Sequence, residues 1–305
     1  MQIIKPDINI DFVGKKGLAI VLSLVLILAG LVSLVAKGGP RYGIDFAGGT
    51  LIQVKFNQPT DAATIRGALA PLNLRGLTVQ RFEGEGDEFL LRAQESSAAL
   101  EGLSHRITEA LEGSFGEGQL ELRRMEMVGP QAGRELRNRG LLAVLYAMIG
   151  ILIYVSWRFK FRFAVGAILA LLHDVLFTVG IFSLLNKEID LPIIAAFLGI
   201  VGYSLNDTII VYDRIRENTG KIEKESFPSV INRSINETLS RTIMTSGTTL
   251  LVVLALLIFG GGVIQNFALA LFIGIMVGTY SSVFVASPVL LYWDEYRARR
   301  RGAKG

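Results

Sequence analysis

Two opposite charges interrupt stretches of sequence that are otherwise apolar enough to cross a membrane. Asp207 lies inside the apolar stretch 193–212, and Arg241 opens the next apolar stretch. A charge at membrane depth costs from about 2.5 to more than 10 kcal/mol, and such residues usually face a bundle interior and pair with another group. At about 1.5 Å of rise per residue, both lie at the same depth, toward one membrane boundary. We therefore predict that they form an intramembrane pair.

Such a pair could relay protons. Burial favours the protonated form of a carboxyl, whereas a nearby guanidinium favours the charged form. A change in the separation of Asp207 and Arg241 would therefore load or release a proton, and a helix movement would link the two states. Arg241 has an alternative, because its long side chain can extend into the interface. A short aspartate side chain cannot reach out in this way.

Three neighbouring polar residues extend this prediction. Asp174 lies near the middle of the preceding apolar stretch, so three helices contribute ionisable groups. For Asp174, proton coupling and a structural hydrogen bond to a neighbouring helix are equally good interpretations; for His173, an interhelical hydrogen bond is favoured over a ligand role. Asn206 is predicted to orient Asp207 by a hydrogen bond. The predicted proton-coupling residues are thus Asp207, Arg241, Asn206 and Asp174.

The composition predicts residence in a membrane. Of 305 residues, 51% are hydrophobic and 19% are charged, against about a quarter charged in soluble domains. The absence of cysteine excludes disulfides and thiolate metal sites. The formal net charge is +4, but the basic residues gather beside apolar stretches, at 15–16, 158–162 and 297–301, where they act as topology signals. We predict no nucleic-acid partner, no cofactor and no metal.

Six stretches are long enough to cross the hydrocarbon core, which needs about 20 apolar residues. They are 17–36, 140–157, 163–185, 191–211, 242–259 and 267–292. An even number of spans puts both termini on one side, and the basic runs assign that side to the cytoplasm. The predicted cytoplasmic parts are the N-terminus 1–16, a loop 214–240 in which an amphipathic helix is expected, and a basic tail 293–305.

The segment 37–139 between the first two spans is large enough to be a domain with its own core. Alternation and turn residues indicate strands at 50–56, 77–82, 88–93 and 119–128, the last alternating imperfectly, with a turn at 83–87. Helices are indicated at 61–69, capped by Thr60, and at 97–111. The fold class is therefore an α-helical polytopic membrane protein with six transmembrane helices and an α+β ferredoxin-like periplasmic domain between helices 1 and 2.

The stretch RYGIDFAGGT at 41–50 follows the first span. Gly43, Gly48 and Gly49 permit positive φ and tight turns, and Asp45 can accept hydrogen bonds from local backbone N–H groups. The glycine spacing differs from that of phosphate-binding loops. We interpret the motif as structural or as a hinge.

This motif and the stretch GYSLNDTIIVYDRIREN at 202–218 resemble the two signature stretches of the SecD/SecF family of protein-export membrane proteins. VGP at 128–130 and SINETLSRT at 234–242 extend the resemblance over nearly the whole chain. In that family the Asp of the Asn-Asp pair and the Arg that opens the fifth span are the essential intramembrane charges. The resemblance places them at Asp207 and Arg241.

The resemblance also implies partners and a mechanism. It implies half of a twelve-helix bundle of the resistance-nodulation-division type in the bacterial inner membrane, completed by SecD. The complex would work beside the SecYEG channel and use the proton gradient to draw preproteins outward, with protons as the coupling ion and no ATP site. YajC and YidC are further implied partners. The domain between the first two spans would be the smaller periplasmic domain of the complex.

Two other functions fit parts of the sequence. A proton-driven small-molecule efflux subunit would use the same bundle, but it would need a substrate cleft in the outer domain, for which this segment is small. An intramembrane serine protease would use His173 and Ser204, but the sequence has no G-x-S-x-G elbow and no H-E-x-x-H motif. We therefore predict a transport subunit rather than an enzyme.

Overall fold

The structure, a computed structural model, describes residues 8–81, 87–93, 100–221 and 225–302. In chain order its helices and strands are α1 (Lys16–Ala36), α2 (Ile44–Ala47), β1 (Gly49–Phe56), α3 (Ala62–Leu69), β2 (Thr78–Arg81), β3 (Asp87–Ala93), α4 (Leu100–Phe115), β4 (Leu120–Val128), α5 (Pro130–Arg158), α6 (Phe161–Leu184), α7 (Leu191–Lys221), α8 (Phe227–Phe259), α9 (Gly261–Ser281) and α10 (Ser287–Gly302). A π-helical segment, Ser282–Ala286, joins α9 to α10. The long helices form a bundle, and the four strands form a sheet domain between α1 and α5.

The six predicted spans are confirmed as helices that are long and apolar enough to cross a membrane. They are α1, α5, α6, α7, α8, and the continuous run from α9 into α10. Several extend well beyond the apolar stretch that predicted them, and α5 already begins at Pro130. Apolar side chains stay exposed on the outer helices, as for Val35 at 81% and Trp157 at 87%. Exposed apolar surface of this kind is typical of helices that face lipid.

Small residues let α9 pack closely against α7. A Cβ atom at Gly274 would lie 2.2 Å from side-chain atoms of Ile200, and one at Gly278 would lie 2.8 Å from Cβ of Ser204. Side chains larger than glycine would therefore force the two helices apart. These two glycines, four residues apart, face the part of α7 that carries the buried polar residues.

The sheet domain has the predicted ferredoxin-like topology. Its strands are all antiparallel and lie in the order β2-β3-β1-β4. Helices α3 and α4 share one apolar core with the sheet, built from residues that include Ile52, Val54, Ile65, Leu69, Leu103 and Ile107. The register between β1 and β4 shifts between Gln53 and Val54. This bulge explains the imperfect alternation in the sequence of β4.

The cap of α3 is Asp61 rather than Thr60, because Asp61 Oδ1 accepts hydrogen bonds from the backbone N–H groups of Ala63 at 2.9 Å and Thr64 at 2.7 Å. A carboxylate one residue later in the chain is the better placed acceptor for these free donors. The predicted turn 83–87 and the predicted first turn of the helix 97–111 lie largely outside the described residues.

The described residues of the segment 214–240 are largely helical, and in place of one amphipathic helix in a loop they form the ends of two long helices. Helix α7 continues to Lys221, and α8 begins at Phe227. Glu237 on α8 accepts hydrogen bonds from Arg214 Nε on α7 at 2.5 Å and from Arg233 Nε at 2.9 Å. Pro228 stands in the first turn of α8, where proline does not break a helix. These ion pairs within and between the helices stabilise their polar ends, so α7 and α8 both extend beyond their apolar parts.

Candidate functional site

Asp207 lies where α7, α8 and α9 meet, and it is fully buried. Its Oδ2 accepts hydrogen bonds from Ser246 Oγ on α8 at 3.0 Å and from Thr279 Oγ1 on α9 at 3.2 Å. Thr279 Oγ1 also lies 2.8 Å from Ser246 Oγ. The second oxygen, Oδ1, is buried and has no hydrogen-bond partner among the described residues. The carboxyl is thus held through one oxygen, while the other keeps its lone pairs free for a proton.

Arg241 and Asn206 point away from Asp207, so the predicted contacts are absent from this structure. Both side chains are exposed. Arg241 still acts on Asp207 electrostatically, but the two groups are farther apart than the 4.0 Å of a direct ion pair. Thr242 and Ser246 occupy the buried face of α8, and a helix turns about 100° per residue, which rotates Arg241 outward. Counting residues predicts how deep a residue lies in the membrane, but it does not predict which side of the helix its side chain faces.

Asp174 on α6 is the centre of a second buried polar site. Its Oδ2 accepts hydrogen bonds from Ser204 Oγ on α7 at 2.5 Å and Ser281 Oγ on α9 at 2.9 Å. Its Oδ1 lies 2.9 Å from His173 Nδ1. The interhelical hydrogen bonds predicted for Asp174 are therefore present, whereas the hydrogen bond of His173 is to its neighbour on the same helix and not to another helix. Because Ser204 and Asp207 are one turn apart on α7, both carboxyls border the same contact between α7 and α9.

The sixth span changes its helical type beside this second site. Ser281 is the last residue of α9, and the π-helical segment follows directly. Across this segment, Ser287 Oγ at the start of α10 donates to the carbonyl of Ser282, five residues earlier, at 2.8 Å. Such segments occur frequently at functional sites, where they change the direction of side chains. The irregular turn therefore marks the end of α9 that lies against Asp174.

Ser204 and His173 do not form a nucleophile pair. Ser204 Oγ donates to Asp174 Oδ2, while His173 Nδ1 lies against the other oxygen of the same carboxyl. His173 Nε2 is buried and has no hydrogen-bond partner in the described part of the chain. A serine nucleophile needs a hydrogen bond to its base, and the base needs a third group to orient it. The geometry therefore gives the protease interpretation no support.

Two glycines of the 41–50 motif have the predicted backbone conformation, and one does not. Gly48 and Gly49 have φ of 76° and 123°, a region that glycine adopts at little cost. Gly43 has an ordinary φ of −68°. It is needed for close approach instead, because a Cβ atom there would lie 3.0 Å from Cβ of Asp190. The motif therefore combines a flexible turn with a tight contact to the α6–α7 connector.

Asp45 binds the start of α7 rather than its own neighbourhood. Its Oδ2 accepts a hydrogen bond from the backbone N–H of Leu191 at 2.9 Å. Leu191 begins α7, and the first N–H groups of a helix have no partner within the helix. Asp45 therefore caps α7 from a position far away in sequence, whereas the prediction had expected it to accept from local backbone N–H groups.

Asp190, the residue before α7, carries a shifted pKa. Partial burial raises the pKa of its carboxyl, and the nearby Asp45 raises it further. The hydrogen bond from the backbone N–H of Ile193 and the positive charge of Arg92 act in the opposite direction without cancelling the effect of burial. The folded protein therefore holds a proton at Asp190 more tightly than the unfolded chain does.

We expect Asp190→Asn to stabilise the protein at neutral pH, by an amount that shrinks as the pH falls. A raised pKa means that the wild-type protein gains stability as the pH drops through that pKa and loses it as the pH rises. Asparagine removes the buried charge and keeps an oxygen that can accept from the Ile193 N–H. The measurement is the midpoint temperature of unfolding in detergent for both proteins between about pH 4 and pH 7.5, a window that starts near the ordinary aspartate value.

Asp61→Asn is the control, because its pKa shift has the opposite direction and its effect on the unfolding midpoint should stay constant across this window. The hydrogen bonds from the backbone N–H and the side chain of Thr64 lower the pKa of Asp61. Its contribution to stability is therefore complete above the ordinary aspartate pKa and is lost as the pH falls. An Asp190→Asn difference that grows toward low pH would contradict the assignment.

The hydroxyl partners of both carboxyls escaped the sequence analysis. They are Ser204, Ser246, Thr279 and Ser281. Each is a small polar residue in an apolar stretch, and such residues form hydrogen bonds between helices in membranes. The sequence therefore did contain a signal for these partners. The signal was weak, because many other Ser and Thr residues in these helices bond only to carbonyls one turn earlier, as Thr248 does to Met244 at 2.9 Å.

Taken together, the fold and the site define a polytopic membrane protein with two buried carboxyls between its helices and a small ferredoxin-like domain outside the membrane. Comparison with known proteins identifies its family. The description "Protein export membrane protein SecD/SecF, C-terminal" matches residues 107–296. The description "SecD/SecF GG Motif" matches residues 32–60, which contain the glycine motif.

Relatives and solved structures agree with these matches. "Protein translocase subunit SecF" from Magnetococcus marinus is 50% identical over 100% of this chain and 98% of the relative. The protein of the same name from Pseudomonas aeruginosa is 42% identical over 93% of this chain and 91% of the relative. The chain therefore belongs to the SecD/SecF family of protein export membrane proteins, and within it to the SecF subunits.

The crystal structure of SecDF, a translocon-associated membrane protein from Thermus thermophilus, matches with a TM-score of 0.86 at 39% identity, over 96% of this chain and 40% of the solved chain. The crystal structure of SecDF in the super-membrane-facing form matches with a TM-score of 0.73 at 39% identity, over 100% of this chain and 41% of that chain. The chain thus spans about two fifths of the solved SecDF chains. This agrees with SecD as the partner that supplies the remainder.

Proposed function

We propose that this chain is the SecF subunit of a complex that uses the proton-motive force to promote preprotein translocation through SecYEG. Similarity over almost the full length to proteins named as translocase subunits supports the transport role. The buried carboxyl of Asp207 supports proton coupling.

The observation that carries the coupling is the environment of Asp207. The residue is fully buried in a helix of membrane-spanning length, and one of its oxygens has no hydrogen-bond partner among the described residues. A bare charge is costly in such surroundings, so the carboxyl either holds a proton or gains a cationic partner. This structure corresponds to the state without a direct cationic partner. In our proposal a helix movement brings Arg241 to Asp207 in the alternate state.

The exposed polar face of α7 and α8 is the surface we assign to SecD. Asn206 and Arg241 are exposed at the depth of the membrane, and polar groups in hydrocarbon are costly unless protein covers them. Gly202 lies on the same exposed side of α7, with open space at the position of an added Cβ, and would permit close helix approach. A SecD helix packed there would cover both polar residues and could steer Arg241 toward Asp207.

The basic runs support an orientation in the bacterial inner membrane. Lys15 and Lys16, the connector between α5 and α6, and the tail after residue 296 lie on one side of the bundle, which we assign to the cytoplasm. The sheet domain then lies in the periplasm. Preproteins, the lipid bilayer and the SecYEG channel would contact the complex there and within the membrane, and YajC and YidC remain candidate partners.

A reconstituted complex tests the proposal. The chain would be co-purified with SecD and placed in vesicles with SecYEG, and preprotein transit would be measured with and without an imposed proton gradient. We expect the gradient to raise the rate of transit only when both subunits are present. Equal rates under both conditions would overturn the coupling. Drug sensitivity on deletion, with export intact, would favour the efflux alternative.

A further inference from the structure

We propose that an ion pair between Arg92 of the sheet domain and Glu188 of the α6–α7 connector transmits movements of α7 to the sheet domain. The inference rests on the proposed function, because α7 also carries Asp207. It assigns to Arg92 and Glu188 a positioning role in coupling that neither the fold nor the family match assigns to them.

The first step is the attachment of the connector to the glycine motif. The backbone N–H of Gly43 donates to the carbonyl of Ile189 at 2.9 Å, and the backbone N–H of Ile189 donates to the carbonyl of Arg41 at 2.7 Å. These bonds form a short parallel bridge. Together with the cap that Asp45 provides to α7, they fasten the start of α7 to the segment that leads into β1. A shift of α7 therefore displaces this segment.

The second step concerns the turn at which the sheet domain is attached. Gly48 and Gly49 precede β1, and their positive φ values allow the chain to turn sharply. The return connection is close by, because Gly49 pairs with Val128, the last residue of β4, and Pro130 then starts α5. Two adjacent connections act like a hinge, about which a domain can rotate unless another contact fixes its angle.

The third step is that Arg92 supplies such a contact. Arg92 lies on β3, opposite Leu51 of β1, and is therefore one strand away from the hinge glycines. Its guanidinium contacts the carboxylate of Glu188, and the side chains retain only 23% and 15% exposure. Arg41 approaches the same carboxylate at 3.9 Å. Glu188 is thus held by the motif segment and by the sheet domain at once.

The fourth step is that an open cleft lies beside this pair, between the sheet and the connector. A cleft of about 380 Å³ separates the free face of the sheet from the connector and the start of α7. Its walls carry polar and charged side chains, which include Gln53, Arg124, Glu126, Lys187 and Asn266. A boundary lined by polar and charged groups does not hold the sheet domain rigidly against the connector. The partly buried Arg92–Glu188 pair is therefore the contact best placed to set the domain angle.

Charge removal provides the first test. We expect Arg92→Gln and Glu188→Gln each to lower the gradient-dependent part of preprotein transit by about fivefold or more, the lower end of typical coupling between sites. The double variant should be no worse than either single variant, because both remove the same interaction. Arg81→Gln is the matched control, since Arg81 lies on the same sheet and the same cleft but pairs with Asp87 inside the domain.

A reversible cross-link separates transmission from a purely structural role. The chain contains no cysteine, so Arg92→Cys with Glu188→Cys creates two unique thiols. We expect the double variant, assembled with cysteine-free partners, to lose gradient-dependent transit. A bis-methanethiosulfonate reagent of matching length should restore it, and a reductant should abolish it again. Cross-linking that leaves transit low would overturn the inference, as would full gradient dependence in Arg92→Gln.

The two proposals fail in different ways. If the wild-type complex shows no gradient-dependent transit, the proposed function fails before any variant is made. If the wild type responds to the gradient while the Arg92 and Glu188 variants respond equally well, only the transmission fails. The unfolding midpoint of each variant, measured in parallel, shows whether a lost response reflects lost folding.

Discussion

Asp207→Asn is expected to abolish the increase in preprotein transit that a proton gradient produces. Asparagine has the size of aspartate and retains an oxygen that can accept from Ser246 and Thr279, so the contact between α7, α8 and α9 is preserved. It cannot take up or release a proton in the working pH range. The loss should therefore be complete rather than partial. It is measured as the difference in transit rate with and without the gradient in vesicles of the full complex.

The matched control is Asp213→Asn, which makes the same chemical change on the same helix. Asp213 is exposed and lies 3.6 Å from Arg158 in an ion pair at the end of the bundle. Exposed pairs contribute little to stability, about 0–1 kcal/mol. We expect Asp213→Asn to keep its gradient response. Full response in Asp207→Asn would refute the coupling role of this carboxyl.

The membrane helices and the sheet topology could be predicted because both follow from patterns that occur along the chain. A span needs a certain length of apolar sequence, and a half-buried strand alternates with period two. The cap of α3 and the bulge in β4 were the local exceptions. The bulge at Arg123, opposite the step from Gln53 to Val54 of β1, reverses the side-chain alternation of β4 beyond it, so no single period fits the whole of β4.

The site could be predicted only in part, because direction around a helix depends on packing with partners. Asp207 and Asp174 were located from burial alone, since a short charged side chain in an apolar stretch must face inward. Arg241 and Asn206 were expected to do the same, yet both face outward. Their surroundings depend on a surface that this chain does not supply by itself. A single sequence contains no pattern that encodes the position of a second subunit.

Contacts between distant segments were the least accessible to sequence reasoning. Arg92 and Glu188 are ordinary surface residues of a strand and a loop when each is considered alone. Their meeting depends on the angle of the sheet domain, which the glycine motif and the return into α5 determine together. The extension of α7 and α8 into the segment 214–240 was expected only as one amphipathic helix within a loop. Its polar composition is typical of a loop, but Glu237 binds arginines from both helices and completes the helical structure.

Gly48→Ala is expected to destabilise the junction between the sheet domain and the bundle more than any other single methyl addition in the glycine motif. Gly48 combines φ of 76° with ψ of 169°, a region that other residues occupy only under strain of about 1–3 kcal/mol. The added Cβ would also lie 2.9 Å from Cα of Pro130, which is backbone and cannot rotate away. Together these effects predict a loss of about 2–5 kcal/mol, seen as a lower unfolding midpoint in detergent.

Two other glycines separate strain from collision at this junction. Gly38 has the same φ of 76° but nothing within 4 Å of an added Cβ, so Gly38→Ala measures the effect of an unfavourable φ alone. Gly129 has φ of −65° and equally open surroundings, so Gly129→Ala should cost nothing. The expected order of destabilisation is Gly48, then Gly38, then Gly129. Equal losses of stability for Gly48→Ala and Gly38→Ala would show that contact with Pro130 does not constrain the hinge. The glycine turn would then leave the angle of the sheet domain free.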